Sequence, residues 1–215
     1  MIDNLLPAHI MMKAVKGLGY IAHPLRLRIL EYLDVNGDSS VSNITKGVGE
    51  EQAIVSQSLR KMREMGLVQT RRSGVFVYYS IVAEYPASIF TCIRKMFGYI
   101  TNNFYFLQDD YKVILPRDYT TMVANRIKLF AHVDKMRILE YLLIKGPKAV
   151  CDIAEALHLE PIKVSQFLKK MKEDDFVTGE RIGRFVVYNI TKGVHKMALG
   201  CIHKRYNLLS DKERF

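Results

Sequence analysis

The sequence predicts a mainly α-helical protein with small β-hairpins, built as two tandem copies of one unit. Residue n resembles residue n+109 without a gap over most of the chain, and 26 of the 61 positions in 21–81 are identical in the second copy. Within each copy, the spacing of apolar residues changes at the same point from a helical period of 3.6 to a strand period of 2. We therefore predict two domains, residues 1–108 and 109–215, each of ordinary domain size.

The first two predicted helices of each copy are marked by proline and glycine. A helix follows a Leu-Pro pair, at 8–20 and at 117–128, because proline suits the first turn of a helix. The next helix carries apolar residues at helical spacing, and it is expected to end at Gly37 in the first copy and at Gly146 in the second.

A third and a fourth helix follow, joined by a short turn. The third is expected over VSNITKGV in the first copy and VCDIAEAL in the second, with Ser42-Asn43 or Asp152 near the cap position, since these residues favour helix N-caps. The fourth begins near Pro161 in the second copy. Three apolar residues of each copy form its core-facing side: Val55, Leu59 and Met62, and then Val164, Leu168 and Met171.

A predicted β-hairpin comes next, with strands at 67–70 and 75–79 and a tight turn at Ser73-Gly74, or Ile182-Gly183 in the second copy. A last helix is predicted at 85–104 and at 192–207. Two helices joined by a short turn and followed by a hairpin form a winged helix-turn-helix, whose second helix can enter the major groove of DNA. The predicted fold is therefore two tandem winged helix-turn-helix domains.

Three segments in each copy carry a family resemblance. They are AHPLRLRILEYL, SQSLRKMREMGLV and RRSGVFVYYSI in the first copy, and AHVDKMRILEYL, SQFLKKMKEDDFV and RIGRFVVYNI in the second. In this order they resemble the ArsR/SmtB family of bacterial and archaeal winged-helix regulators. The resemblance implies a sequence-specific, repressor-like regulator that binds double-stranded DNA. Ordinary members are single-unit homodimers, so the duplication departs from the family pattern.

The exposed face predicted for the fourth helix combines glutamine, serine and basic residues. Glutamine can bind adenine, arginine can bind guanine, and serine and lysine suit phosphates. A solvated basic face is the alternative, but the same Ser-Gln pair recurs in both copies and favours DNA contact. The predicted DNA-binding residues of this helix are Ser56, Gln57, Arg60, Lys61 and Arg63 in the first copy, and Lys163, Ser165, Gln166, Lys169 and Lys170 in the second.

Arginines flank both predicted hairpin turns: Arg71 and Arg72 in the first copy, and Arg181 and Arg184 in the second. A hairpin arginine can reach a minor groove or a phosphate, so we add these four to the predicted DNA-binding residues. Ordinary solubility charges are the alternative. The net charge of +10 is shared by both halves of the chain and favours a polyanionic partner.

No metal site and no cofactor are predicted. Family members that bind thiophilic metals carry a Cys-x-Cys pair on the helix before the recognition helix, whereas this chain has Cys151 alone there. The family's other metal site lies on the last helix, where this chain has His195 and His203. Their counterparts in the first copy, Pro86 and Arg94, cannot ligate a metal.

Two pairs of histidines and cysteines recur at equivalent positions. His23 and His132 precede the second helix, and we expect buried, hydrogen-bonded side chains with a shared structural role rather than catalytic residues. Cys92 and Cys201 lie on the last helices, where burial in the core is the expected role. Thiol sensing at Cys92 and Cys201 is the alternative, since some members of the family sense oxidants or persulfides.

Several classes of protein do not fit the sequence. It has no run of ~20 uninterrupted apolar residues and no basic region at its N-terminus, so we expect a cytoplasmic protein without a membrane partner. It shows no glycine-rich phosphate loop, GxSxG or other catalytic motif, so no enzyme and no catalytic residue are predicted. A winged-helix protein–protein interaction module without DNA binding is the competing hypothesis.

The duplication also predicts how the chain assembles. In single-unit family members, the first and last helices of two chains pack together and place two recognition helices on one face of DNA. Here one chain carries both sets, and the tether between them gives an effective concentration of order millimolar. We therefore expect an intramolecular pseudo-dimer with its recognition helices about one DNA turn apart, ~34 Å. A domain-swapped or side-by-side homodimer is the alternative.

Overall fold

The computed structural model describes residues 5–82, 87–103, 108 and 112–191. The first copy contains, in order, α1 (Ala8–Ile21), α2 (Pro24–Asn36), β1 (Ser39–Ser40), α3 (Val41–Val48), α4 (Gln52–Glu64), β2 (Val68–Ser73), β3 (Phe76–Ile81) and α5 (Ala87–Thr101). The second contains α6 (Arg117–Phe130), α7 (Val133–Lys145), β4 (Lys148–Ala149), α8 (Val150–Leu157), α9 (Pro161–Glu173), β5 (Val177–Ile182) and β6 (Phe185–Ile190). The predicted helix 192–207 and the predicted boundary near Asp109-Asp110 lie outside the described residues.

Each copy has the predicted winged helix-turn-helix order, and every described element of the second copy lies 109 residues after its counterpart. The hairpin belongs to a three-stranded antiparallel sheet, ordered β1-β3-β2 in the first copy and β4-β6-β5 in the second. The sequence did not predict β1 and β4, because a two-residue strand is too short to show a period of 2. The two-tandem-domain fold class is confirmed.

The hairpin turns lie one residue later than predicted. Ser73 pairs with Phe76, so the two-residue loop is Gly74-Val75 rather than Ser73-Gly74. In the second copy Ile182 pairs with Phe185, which makes the loop Gly183-Arg184. The first loop residue has a positive φ in both hairpins, 60° at Gly74 and 59° at Gly183. Glycine adopts this conformation without steric cost and so fixes the register of the turn.

The ends of the helices follow from local chemistry. As predicted, α2 and α7 end at Gly37 and Gly146, whose φ values are 70° and 74°. The third helix spans the predicted segments, 41–48 and 150–157, but its N-cap in the first copy lies two residues before the predicted Ser42-Asn43. Ser40 is the N-cap of α3, and its Oγ accepts a hydrogen bond from the backbone N–H of Asn43 at 3.3 Å. In α8, Asp152 instead accepts from the backbone N–H of the N-cap, Ala149, at 3.2 Å.

The hydrophobic core of each copy lies between its helices and its hairpin. The predicted inward faces of α4 and α9 are confirmed, since all six apolar side chains have at most 3% of their surface exposed. Phe130 and Phe176 add an edge-to-face aromatic contact with ring centroids 4.7 Å apart. Within the described residues, no helix is both long and apolar enough to cross a membrane.

The chain forms two compact units, and each unit contains residues of both copies. One comprises residues 1–16 with 130–215, and the other comprises 17–129. In the first unit, the buried Glu140 accepts a hydrogen bond from the backbone N–H of Leu6 at 2.7 Å. In the second, Glu31 accepts from the backbone N–H of Leu115 at 2.9 Å. The segment that leads into the first helix of each copy, which we call the arm, is thus anchored in the body of the other copy.

A buried ion pair reinforces the arm of the second copy. The side chains of Arg94 and Asp34 are only 3% and 5% exposed, and their nitrogen and oxygen atoms lie 2.7 Å apart. The Nε of Arg94 also donates to the carbonyl of Val113, at 3.1 Å. Burial raises the pKa of the neighbouring Glu31, while the Leu115 N–H and Arg94 oppose this shift. The counterpart of Asp34 is Leu143, so the two copies differ here.

Candidate nucleic-acid interface

Helices α4 and α9 are the recognition helices of the two copies. Each follows a shorter helix after a three-residue turn, which begins with a left-handed residue: Gly49 with φ 66° in the first copy, and His158 with φ 53° in the second. The buried apolar face of each recognition helix holds it against its own copy, so the opposite face points to solvent.

The structure places the predicted DNA-binding residues on the surface. Thirteen of the fourteen are exposed, and Ser56 is half-buried. On each recognition helix the glutamine lies among cationic side chains. Within the described part of the chain, the Gln57 and Gln166 side chains form no hydrogen bond, so their amides are available to a ligand.

Three cations of the recognition helices form surface ion pairs. Arg60 lies 3.0 Å from Glu64, Lys163 lies 2.7 Å from Asp134, and Lys170 lies 3.4 Å from Glu173. The pairs of Arg60 and Lys170, in which both side chains are exposed, contribute about 0–1 kcal/mol. Because the pairs are this weak, a phosphate can compete for these cations.

The two hairpins form the wings of the fold, and their arginines also face outward. Arg71 pairs with Asp38 at 3.4 Å, and its guanidinium lies 5.4 Å from the centre of the Tyr78 ring. Arg184 occupies the loop of the second wing and lies 4.9 Å from the centre of the Phe185 ring. These contacts place the guanidinium groups beside aromatic rings at the exposed surface of the wings.

The prediction of buried, hydrogen-bonded histidines is wrong, because His23 and His132 are both exposed. They share a structural position as the N-caps of α2 and α7, where the backbone is extended and the side chain lies outside the first turn. Partial desolvation lowers the pKa of His23, and the charges of Arg26, Lys128 and Lys61 lower it further. His23 therefore lies in a cationic part of the surface.

Only some of the cysteines and candidate metal ligands lie within the described residues. Cys151 is an exposed free thiol, with Sγ 3.8 Å from an oxygen of Asp152. Within the described region, no three His, Cys, Asp or Glu side chains are grouped to hold a metal ion. The positions that lie outside it are Pro86, His195, Cys201, His203 and the side chain of Cys92.

Sequence reasoning missed one residue of the recognition face. Ile162, the second residue of α9, is 73% exposed. At about 100° per residue, it lies on the same side of the helix as Gln166 and opposite the buried Val164. Plotting this sequence on a helical wheel would have found it. The counterpart in the first copy is Ala53.

Comparisons with known proteins agree with this geometry. The family described as "Bacterial regulatory protein, arsR family" matches residues 23–70 and 132–178. An uncharacterized HTH-type transcriptional regulator of Mycobacterium tuberculosis is 38% identical over 84 residues, which cover 39% of this chain and 73% of that protein. The nodulation protein NolR of Rhizobium meliloti is 35% identical over 81 residues, or 38% of this chain and 66% of NolR.

A solved structure of NolR from Sinorhizobium fredii is 31% identical, with a TM-score of 0.33, and covers 46% of this chain and 92% of that one. The two family matches begin 109 residues apart, so each falls on the same part of its copy. Each match contains the whole helix-turn-helix and the start of the following hairpin. The chain therefore belongs to the arsR family of regulatory proteins, and it is a DNA-binding transcription regulator in which the winged helix-turn-helix occurs twice.

Proposed function

We propose that one chain binds a single DNA duplex sequence-specifically through both recognition helices and represses transcription from that site in the cytoplasm. The observation that carries this proposal is the repeated surface chemistry of α4 and α9. Each presents a glutamine among exposed cations on the side opposite its buried face. A scaffold that only bound proteins would not require this arrangement in both copies.

The two kinds of side chain have different roles in this proposal. Gln57 and Gln166 read adenine, because a glutamine amide can donate its N–H to N7 of adenine and accept from the N6 amino group through its carbonyl oxygen. The lysines and the wing arginines contact phosphates or the minor groove, and they fix the position of the protein without selecting a base.

We further infer an intramolecular pseudo-dimer. The anchoring of each arm in the body of the other copy supports it, because the two copies then hold each other within one chain. Two linked recognition helices about one DNA turn apart, ~34 Å, would contact successive major grooves on one face. The preferred site is an imperfect inverted repeat, because the helices differ at Ser58/Phe167 and at Arg60/Lys169.

The salt dependence of duplex binding tests this function. Affinity for duplex DNA, measured by fluorescence anisotropy, should fall linearly on a log–log plot with a slope of about −0.9 for each neutralised phosphate. The double variant Lys169→Ala/Lys170→Ala should weaken binding to all sequences and flatten the slope by about 1 for each lost phosphate contact.

Lys145→Ala provides a matched control, because Lys145 is an exposed lysine at the end of α7 rather than on a recognition helix. It should leave the slope unchanged. A wild-type chain that fails to bind duplex DNA even at low salt would contradict the proposal and favour a protein–protein interaction module.

A further inference from the structure

The exposed face of α9 is polar and cationic except at one position. The cations Lys163, Lys169 and Lys170 are all exposed, whereas three apolar side chains are buried on the opposite side: Val164, Leu168 and Met171. Among its described residues, Ile162 is the large apolar side chain that remains open to solvent, with 73% exposure.

Ile162 lies at the centre of this face. With 3.6 residues per turn, it is about 40° from Gln166 and about 20° from Lys169 around the helix axis. The buried Val164 and Met171 lie about 160° and 180° away. A ligand that contacts Gln166 on this face therefore also contacts the side chain of Ile162.

The aromatic side chain of α9 already has partners in its own copy. Phe167 makes an edge-to-face contact with His132, with ring centroids 4.8 Å apart, and Lys163 lies 5.7 Å from the centre of the same ring. Lys163 is also held by Asp134 at 2.7 Å. These contacts fix the flank of α9 beside the body of its own copy, while Ile162 extends from the first turn.

We propose that Ile162 contacts the C5-methyl group of a thymine in the half-site read by α9. The first turn of a recognition helix is the part that reaches base edges in the major groove. Thymine is the base that presents an apolar group there, and aliphatic side chains select it by that methyl group. The cations around Ile162 complement the phosphates on either side of the groove. This inference rests on the proposed DNA binding.

The same position distinguishes the two half-sites. Ile162 corresponds to Ala53 in the first copy, whose short side chain covers less of the groove. The half-site of α9 therefore carries a thymine requirement that the half-site of α4 does not share to the same degree, beside an adenine read by Gln166.

Replacing thymine by uracil in the DNA tests this directly, because it removes only the methyl group. A preferred duplex is first obtained by selection from random sequences, and each thymine is then replaced singly by deoxyuridine. At one position in one half-site, wild-type affinity should fall about fourfold, the effect of losing one buried methyl group. Ile162→Ala should bind the thymine and uracil duplexes at that position equally well.

Ile54→Ala is the matched control. Ile54 is an exposed isoleucine in the first turn of the other recognition helix, about 100° from the centre of its face. This variant should retain the uracil penalty in the α9 half-site. The inference is overturned if duplex binding is salt-dependent but no thymine shows the penalty, or if the penalty persists in Ile162→Ala. Absence of salt-dependent duplex binding would overturn the proposed function as well.

Discussion

Glu140 makes the stability of the protein depend on pH in a way that one substitution isolates. Its side chain is 1% exposed, and burial raises its pKa from 4.5 to about 7, although the Leu6 N–H and Arg137 oppose the shift. Between these two values the folded protein binds more protons than the unfolded chain. The contribution to stability is therefore complete below about pH 4.5 and is lost as the pH rises to about 7. A shift of this size corresponds to about 3 kcal/mol.

Glu140→Gln removes this titration and keeps a side-chain oxygen to accept from Leu6. We expect the wild-type free energy of unfolding to fall by about 3 kcal/mol more than that of the variant between pH 4.5 and 8. Urea unfolding followed by circular dichroism measures it, since the chain contains no tryptophan. Glu155→Gln, an exposed glutamate of the same unit, should follow the wild type. If the free energy of unfolding depended on pH in the same way for wild type and Glu140→Gln, the result would refute the reasoning.

Three further outcomes follow from the site and the core. Arg94→Leu leaves the buried Asp34 with the exposed Lys112, 3.8 Å away, as its ion partner among the described residues and should cost about 3 kcal/mol of stability in thermal unfolding, whereas Asp34→Leu/Arg94→Leu should recover most of the loss. Gln57→Ala/Gln166→Ala should broaden the sequences recovered from a random duplex pool while leaving non-specific affinity within about twofold of wild type; a uniform loss across all sequences would assign these residues to backbone contact. Elemental analysis of purified protein should find no stoichiometric metal, and a chelator should change neither folding nor duplex binding; one tightly held zinc per chain would contradict this.

The helices and hairpins could be predicted from the sequence because the pattern that predicts each of them occurs in both copies. A 3.6-residue period, a glycine at the end of a helix and a proline at its start all act within a few residues, and a second copy in the same register confirms each assignment. The N-cap of α3, which is Ser40 rather than the predicted Ser42-Asn43, shows how far the local sequence alone can fix a helix boundary. Ser40 and Ser42 are both good N-caps, and the choice between them depends on β1 pairing with β3.

The exchange of arms could not be predicted in the same way. Glu31 and Leu115 are 84 residues apart, and nothing in the local pattern at either position shows that they meet. The sequence shows only that a glutamate recurs at the same position of the second helix, in LRLRILEYL and DKMRILEYL. Ten of the predicted DNA-binding residues could be named from their positions on the recognition helices, since the inward face was defined by apolar spacing, and the other four from the hairpin turns. Ile162 was overlooked because the exposed face was assigned from its polar and basic residues alone.

The central claim is that one chain reads two half-sites of one duplex. Native mass spectrometry of the complex with a selected duplex, combined with hydroxyl-radical footprinting of the same sample, tests it most directly. We predict one chain per duplex, with two protected patches on one face of the DNA about one helical turn apart. Two chains per duplex, or a single protected patch for each bound chain, would contradict the intramolecular pseudo-dimer.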